Sequence, residues 1–145
     1  MKAALMYRMA AILLLLFAIG HTLGFRQSDP AWHADAVVGA MQSLHFDIQG
    51  FRRSYWDFFE GSGFCVGVFF VFSAILAWQL GGVPAATRAQ LRVAAWAFAS
   101  CFVAIAVLSW LFLFAIPIAF STLIAASLTV AAYLSRTPDE SSSAR

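Results

Sequence analysis

The chain has 145 residues, of which 62% are hydrophobic and 11% are charged, and its mean hydropathy is +0.82. So little polar surface cannot cover a water-soluble globule of this size, which excludes an ordinary soluble domain and indicates a membrane as the solvent. The net charge of +2 comes from lysines and arginines that are scattered along the chain and form no basic stripe, so no nucleic-acid partner is predicted.

Residues 4–24 form the first apolar run, and Lys2 precedes it. A helix of this length can cross the roughly 30 Å of hydrocarbon in a bilayer. A secretory signal peptide also has a basic start and an apolar centre, but residues 20–24 offer no convincing small-x-small cleavage site. The run therefore predicts an uncleaved first transmembrane helix.

Residues 25–53 form the long polar connection that follows. Asp29 followed by Pro30 is typical of a helix N-cap and first helical residue. Apolar residues then recur at helical spacing, at Ala34, Val37, Val38, Met41, Leu44 and Ile48. This pattern predicts a short amphipathic helix in the membrane interface, which Gly50 separates from the second span.

The second span is predicted over residues 54–80, where a charged loop becomes a long apolar helix. Ser54 and Asp57 have the spacing of a capping box, in which each side chain bonds the backbone amide of the other residue. Helical spacing places one acid and several small residues on a single face, namely Glu60, Gly63, Phe64, Gly67, Val71 and Ala74. We expect this face to point inward, towards other helices.

The uncharged stretch from Val93 to Ser135 is long enough for two further crossings, which we place at residues 90–113 and 117–135 with a reversal near Phe114 to Pro117. Residues 137–145 have the composition of a disordered cytoplasmic tail. The predicted fold is all-α, with residues 1–136 forming a four-helix transmembrane bundle that carries a short interfacial amphipathic helix between its first two spans.

Four crossings place both termini on one side of the membrane. That side would carry Lys2, Arg8, Arg88, Arg92, Arg136 and Arg145, whereas Arg26, Arg52 and Arg53 would lie opposite with most of the acids. The positive-inside rule then predicts cytoplasmic termini and a long connection that faces outward.

This topology brings titratable side chains to a similar depth at the outer surface. The candidate ligand-binding residues are His21, His45, Asp47, Trp56, Asp57 and Glu60. Imidazole and carboxylate groups at the edge of a bundle can transfer protons, bind a cation, or hold the polar head of a lipophilic ligand.

Each titratable candidate also has a structural explanation. His21 can bond the last carbonyls of its helix, and Asp57 can serve as a capping residue. Glu60 can be paired with Arg52 or Arg53, because an acid inside a span must be paired, protonated or exposed to a cavity. His45 and Asp47 can be solvated residues of a loop.

No metal or other cofactor is predicted. The chain lacks the Glu-x-x-His and His-x-x-x-His pairs that fix metal geometry on helices. Cys65 and Cys101 lie in apolar runs without Cys-x-x-Cys spacing, so neither a disulfide framework nor a zinc site is indicated.

Three segments carry a resemblance to known proteins: residues 20–24 (Gly-His-Thr-Leu-Gly), 44–47 (Leu-His-Phe-Asp) and 53–58 (Arg-Ser-Tyr-Trp-Asp-Phe). With these segments the chain resembles a group of small four-helix bacterial membrane proteins of uncharacterised function, which implies the fold and a bacterial inner-membrane location. It is more loosely similar to the emopamil-binding and sigma-2-receptor-like family, in which His21, Asp57 and Glu60 would match residues around a cavity for lipophilic amines or sterols. That family's further acidic positions in later helices have no counterpart here.

The sequence thus favours a non-enzymatic inner-membrane protein that binds a lipophilic small molecule, a membrane lipid or a partner through an outward-facing pocket near Glu60. One alternative is an intramembrane enzyme of the isomerase type, with Glu60 or Asp57 as proton donor and His21 as acceptor. Another is an accessory subunit that docks on a membrane-protein partner through exposed small residues of the second span.

Overall fold

The computed structural model describes residues 1–135, so the tail predicted over 137–145 lies outside the described residues. The helices are α1 (Lys2–Gly24), α2 (Asp35–Ser43), α3 (Tyr55–Gly82), α4 (Ala85–Gln90), α5 (Arg92–Phe112) and α6 (Ala115–Leu134). A short 3-10 helix covers Pro30–Trp32, and two strands, β1 (His45–Ile48) and β2 (Phe51–Ser54), precede α3.

Four of these helices, α1, α3, α5 and α6, are long and apolar enough to cross a membrane. The predicted fold class is confirmed: the chain is all-α, with four candidate spans and a short helix between the first two. The protein is therefore a multi-pass membrane protein. The last reversal is tighter than expected, because only Leu113 and Phe114 are extended, and Pro117 lies in the first turn of α6. A proline is tolerated there because the first amides of a helix have no partner within the helix.

The chain divides into two compact units, and the first, called here the core unit, comprises residues 1–17 and 70–135. Its interior is formed by fully buried side chains from all four spans, among them Tyr7, Leu14, Ala77, Phe102, Ile124 and Leu128. Alanines alternate with these large residues on the buried helix faces, at Ala10, Ala95, Ala99, Ala131 and Ala132. Such small residues let helix backbones approach closely in lipid, where van der Waals packing drives association.

The second unit, called the connecting unit, comprises Ala18–Phe69. It contains the end of α1, the 3-10 helix, α2, the hairpin of β1 and β2, and the start of α3. Helix α2 buries none of its side chains. Several large apolar residues of this segment are exposed, namely Trp32, Val37, Leu44, Ile48 and Phe51. Exposed apolar surface on a short amphipathic segment is typical of a helix that lies in the membrane interface.

The hairpin was not predicted, and the expected continuation of the amphipathic helix through Ile48 is wrong. Helix α2 ends at Ser43, and β1 pairs with β2 in antiparallel register from His45 opposite Ser54 to Ile48 opposite Phe51. The turn residues Gln49 and Gly50 both have positive φ, of 51° and 85°. Two central residues with positive φ are the requirement of a type I′ hairpin turn, whose twist matches that of the strands.

Asp29 caps a helix as predicted, but the helix is the 3-10 segment. Its Oδ1 accepts a hydrogen bond of 2.8 Å from the Ala31 amide, with Pro30 at the first helical position. His33 then takes a left-handed conformation, with φ of 50°, and ends this turn before α2 begins at Asp35.

Candidate functional site

The start of α3 is fixed by the predicted capping box. The Ser54 amide donates to Asp57 Oδ2 at 2.7 Å, and the Asp57 amide donates to Ser54 Oγ at 3.2 Å. These bonds satisfy amides that a helix start otherwise leaves without partners. Because Ser54 is also the last residue of β2, the hairpin leads into the helix without a linker. Asp57 therefore has the structural role that the sequence offered for it.

The hairpin also packs on the first turns of α3. The Phe46 ring centroid lies 5.0 Å from that of Tyr55 and 6.0 Å from that of Phe58. His45 is exposed, with its Nδ1 atom 2.9 Å from the Ser43 carbonyl oxygen. Asp47 is exposed as well, opposite Arg52 in the strand register. His45 and Asp47 thus belong to the hairpin.

His21, near the end of α1, reaches α3 through a hydrogen bond to the backbone. Its Nε2 atom lies 3.0 Å from the carbonyl oxygen of Gly63. A carbonyl oxygen only accepts, so this nitrogen carries the proton and donates it. The prediction that His21 bonds the last carbonyls of its own helix does not describe this contact, because the acceptor belongs to α3.

Two glycines of α3 allow this close approach of α1. A Cβ atom at position 63 would overlap the ring of Phe25, whose Cζ would be 2.8 Å away. A Cβ at position 67 would lie 2.9 Å from Thr22 Oγ1. The expected inward face is thus observed at Gly63 and Gly67, but Phe64 and Val71, which were predicted on the same face, are exposed.

Glu60 forms an ion pair with Arg26, two residues after the end of α1. Arg26 Nε lies 2.9 Å from Glu60 Oε1, and the side chains are 53% and 27% exposed. The expected partner, Arg52 or Arg53, is wrong. Arg53 instead lies over the Phe51 ring, with 5.5 Å between the guanidinium carbon and the ring centroid. The pair forms because α1 and α3 run antiparallel in this unit, which places the residues after α1 beside the first turns of α3.

An aromatic residue precedes each member of this ion pair in the chain, Phe25 before Arg26 and Phe59 before Glu60. Phe25 stacks on His21 at 5.2 Å and contacts Phe59 at 5.7 Å and Phe64 at 5.3 Å between ring centroids. Trp56 continues the group, since its ring lies 5.2 Å from that of Phe59. We call this group the His21–Glu60 cluster, and it comprises His21, Phe25, Arg26, Trp56, Phe59, Glu60 and Gly63.

The length of α3 explains why a membrane helix tolerates acids at its start. Its 28 residues give about 42 Å of helix, against roughly 30 Å of hydrocarbon. Asp57 and Glu60 lie in the first two turns, so this end of α3 can extend into the polar headgroup region. A half-exposed ion pair is therefore compatible with this position.

The structure thus brings His21, Trp56 and Glu60 into one cluster and leaves His45, Asp47 and Asp57 at the hairpin and the helix cap. Phe25 and Arg26 were missed as site residues. The sequence position of Arg26 could have identified it. When two consecutive spans pack antiparallel, a cation just after the first span lies beside the start of the second span. Phe25 carried no comparable signal, since its importance depends on the bare backbone of Gly63.

Among residues 1–135, no group of three or more His, Cys, Asp or Glu side chains is placed to hold a metal ion. Cys65 and Cys101 are free thiols on exposed positions. Comparisons of the chain with protein-family models, curated proteins and solved structures find no match. The family resemblances thus stay predictions.

Proposed function

We propose that this protein is a non-enzymatic protein of the bacterial inner membrane that binds a lipid or lipophilic small molecule with a polar head at the His21–Glu60 cluster. The observation that carries the proposal is the half-exposed Arg26–Glu60 ion pair beside the rings of Phe25 and Phe59. The rings offer apolar surface to the hydrophobic part of such a ligand, and the ion pair offers charged groups to its polar head.

The ion pair keeps hydrogen-bonding capacity for a ligand. A guanidinium has five N–H donors and a carboxylate has two oxygens, whereas this contact joins one nitrogen to one oxygen. The remaining guanidinium donors suit a phosphate or carboxylate, and the second oxygen of Glu60 suits an amine or hydroxyl. A zwitterionic headgroup such as phosphatidylethanolamine contains both kinds of partner.

Geometry favours binding over the enzymatic alternative. Proton transfer would need His21 as acceptor, and only its Nδ1 atom is left for this role because Nε2 donates to the Gly63 carbonyl. It would also need Glu60 or Asp57 as donor, but Glu60 is paired with Arg26 and Asp57 caps α3. The hydrogen bonds and the ion pair of His21, Glu60 and Asp57 therefore favour structural and binding roles for these residues over proton transfer.

The alternative function, an accessory subunit of a larger complex, lacks the exposed surface that it predicts. It requires small residues of α3 on an exposed strip, but Gly63 and Gly67 are covered by Phe25 and Thr22. Ala74, which belongs to the core unit, is buried as well. A docking face of small residues on α3 is therefore not favoured.

The charge distribution supports the orientation with both termini in the cytoplasm. Within residues 1–135, the core unit carries Lys2, Arg8, Arg88 and Arg92 and no acid, whereas all five acids belong to the connecting unit. Four crossings would place these four cations on one side, which the positive-inside rule assigns to the cytoplasm. The His21–Glu60 cluster would then face the periplasm.

Photocrosslinking tests the proposal. Nanodiscs that contain photoactivatable phosphatidylethanolamine should label the segments around positions 25 and 60 in the wild-type protein. Glu60→Leu should reduce this labelling severalfold while leaving expression and membrane insertion intact, because it removes the acceptor for the lipid amine. Asp35→Asn is the matched control, since it removes an exposed acid of α2. Unchanged labelling of Glu60→Leu would exclude Glu60 from a lipid-binding site and contradict the proposal.

A further inference from the structure

A groove lies between α1 and α3 in the core unit. Its volume is about 250 Å³, and its lining is almost entirely apolar. The lining residues are Ala11, Ile12 and Leu15 of α1 and Val71, Ala74, Ile75, Trp78 and Gln79 of α3. Ile12, Leu15 and Ile75 are about half exposed, so the groove is open to the surrounding lipid.

One end of this groove carries a cation. Trp78 lines the groove, and the guanidinium carbon of Arg8 lies 5.1 Å from the centroid of its ring. Gly81 makes room for Arg8, because a Cβ atom at position 81 would lie 3.1 Å from Arg8 Cγ. The bare backbone at Gly81 thus lets the Arg8 side chain lie along the last turns of α3.

A second guanidinium is located at the same end of α3 but is already engaged. Arg88 is buried, and it donates to the carbonyl oxygen of Leu80 at 3.0 Å and to that of Val83 at 2.6 Å. These bonds cap carbonyls that the end of α3 would leave without partners. Arg88 therefore adds positive charge here, while Arg8 is the exposed cation that can contact a ligand.

The local charge has no acidic complement in the described part of the core unit. Residues 1–17 and 70–135 contain no aspartate or glutamate, and no carboxylate of residues 1–135 lies within ion-pair distance of Arg8 or Arg88. A guanidinium at a membrane surface attracts anionic lipid, and each such charge near the surface contributes a free energy equivalent to about a fivefold change in binding.

We propose that this groove binds an acyl chain of an anionic phospholipid whose phosphate group is held by Arg8. The apolar walls accept the chain, Trp78 lies where chain and headgroup meet, and the guanidinium over its ring meets the phosphate. Tryptophan is suited to this boundary because its ring is apolar and its N–H is polar. The site uses none of the residues of the His21–Glu60 cluster, so each proposal can fail without the other.

Quenching of Trp78 fluorescence by brominated lipid measures this binding. The full-length protein is placed in phosphatidylcholine nanodiscs that contain a minor fraction of brominated phosphatidylglycerol or brominated phosphatidylcholine. The fluorescence of Trp78 is obtained by subtracting the fluorescence of the Trp78→Phe variant from that of the wild-type protein. We expect the apparent affinity for phosphatidylglycerol to exceed that for phosphatidylcholine by about fivefold.

Substitutions of arginine identify the source of this preference. Arg8→Gln should make the two lipids equal, whereas Arg8→Lys should keep most of the preference because the charge is retained. Arg53→Gln is the matched control, since Arg53 also lies over an aromatic ring but belongs to the hairpin. Equal quenching by the two lipids in the wild-type protein, or a preference that survives Arg8→Gln, would overturn the proposal.

A soluble headgroup separates a lipid site from a site for free phosphate. Glycerophosphoglycerol carries the same phosphate without acyl chains, so it should not compete when it is added at the concentration of the brominated lipid. If glycerophosphoglycerol abolished the preference for phosphatidylglycerol, the groove would contribute nothing to lipid binding. That result would contradict the proposed acyl-chain site.

Discussion

At the scale of single residues, the most specific packing requirement is at Gly63. Gly63→Ala should lower the free energy of unfolding by about 1–3 kcal/mol, because the new methyl group would displace the Phe25 ring from its stack on His21. Gly61→Ala is the matched control: no atom lies within 4 Å of its would-be Cβ, so it should be neutral or slightly stabilising. Thermal unfolding in detergent measures both variants.

A double-mutant cycle attributes this cost to the ring. In a Phe25→Ala background, Gly63→Ala should cost little, because the space above position 63 is then open. Equal stability of Gly63→Ala and Gly61→Ala in the wild-type background would show that Phe25 does not cover Gly63.

Residue-scale predictions from sequence succeeded where partners are close along the chain. Ser54 and Asp57 are three residues apart, so a local pattern was enough to identify their reciprocal bonds. Arg26 and Glu60 are brought together only by the approach of two helices, and no local pattern specifies which of several arginines is the partner.

At the scale of elements, the four spans were predictable because an apolar run of this length has one stable form in lipid, a helix that satisfies its own backbone. The β1–β2 hairpin was not. Leu44 and Ile48 fit a helical period, but Leu44, Phe46 and Ile48 also alternate as in a strand, and over so few residues both periods match. The turn decides between them, because its backbone has a positive φ at position 50, which glycine adopts without strain.

Gly50 offers a test of the hairpin. Gly50→Ala should destabilise the hairpin by about 1–2 kcal/mol, because an L-residue with a side chain is strained at a φ of 85°. Amide hydrogen exchange of residues 45–54 should accelerate while that of α5 stays unchanged. Gly39→Ala, inside α2 with open space around it, should not accelerate hairpin exchange. Unchanged exchange in Gly50→Ala would argue against the turn.

At the scale of the whole molecule, composition alone excluded a soluble domain, and the four spans followed from hydropathy. The arrangement of the cluster could not be obtained in this way, because it depends on which residues of α1 and α3 face each other where Gly63 and Gly67 permit close approach. The proposed periplasmic position of the His21–Glu60 cluster depends on the side of the membrane to which the connecting unit is exposed.

Cysteine accessibility in intact cells measures that side most directly. In a background of Cys65→Ser and Cys101→Ser, a membrane-impermeant thiol reagent should label Gln42→Cys, in the exposed part of α2, before lysis. Ala86→Cys, exposed in α4 between the second and third spans, should be labelled only after lysis. Labelling of Ala86→Cys in intact cells together with protection of Gln42→Cys would invert the topology and contradict a periplasmic His21–Glu60 cluster.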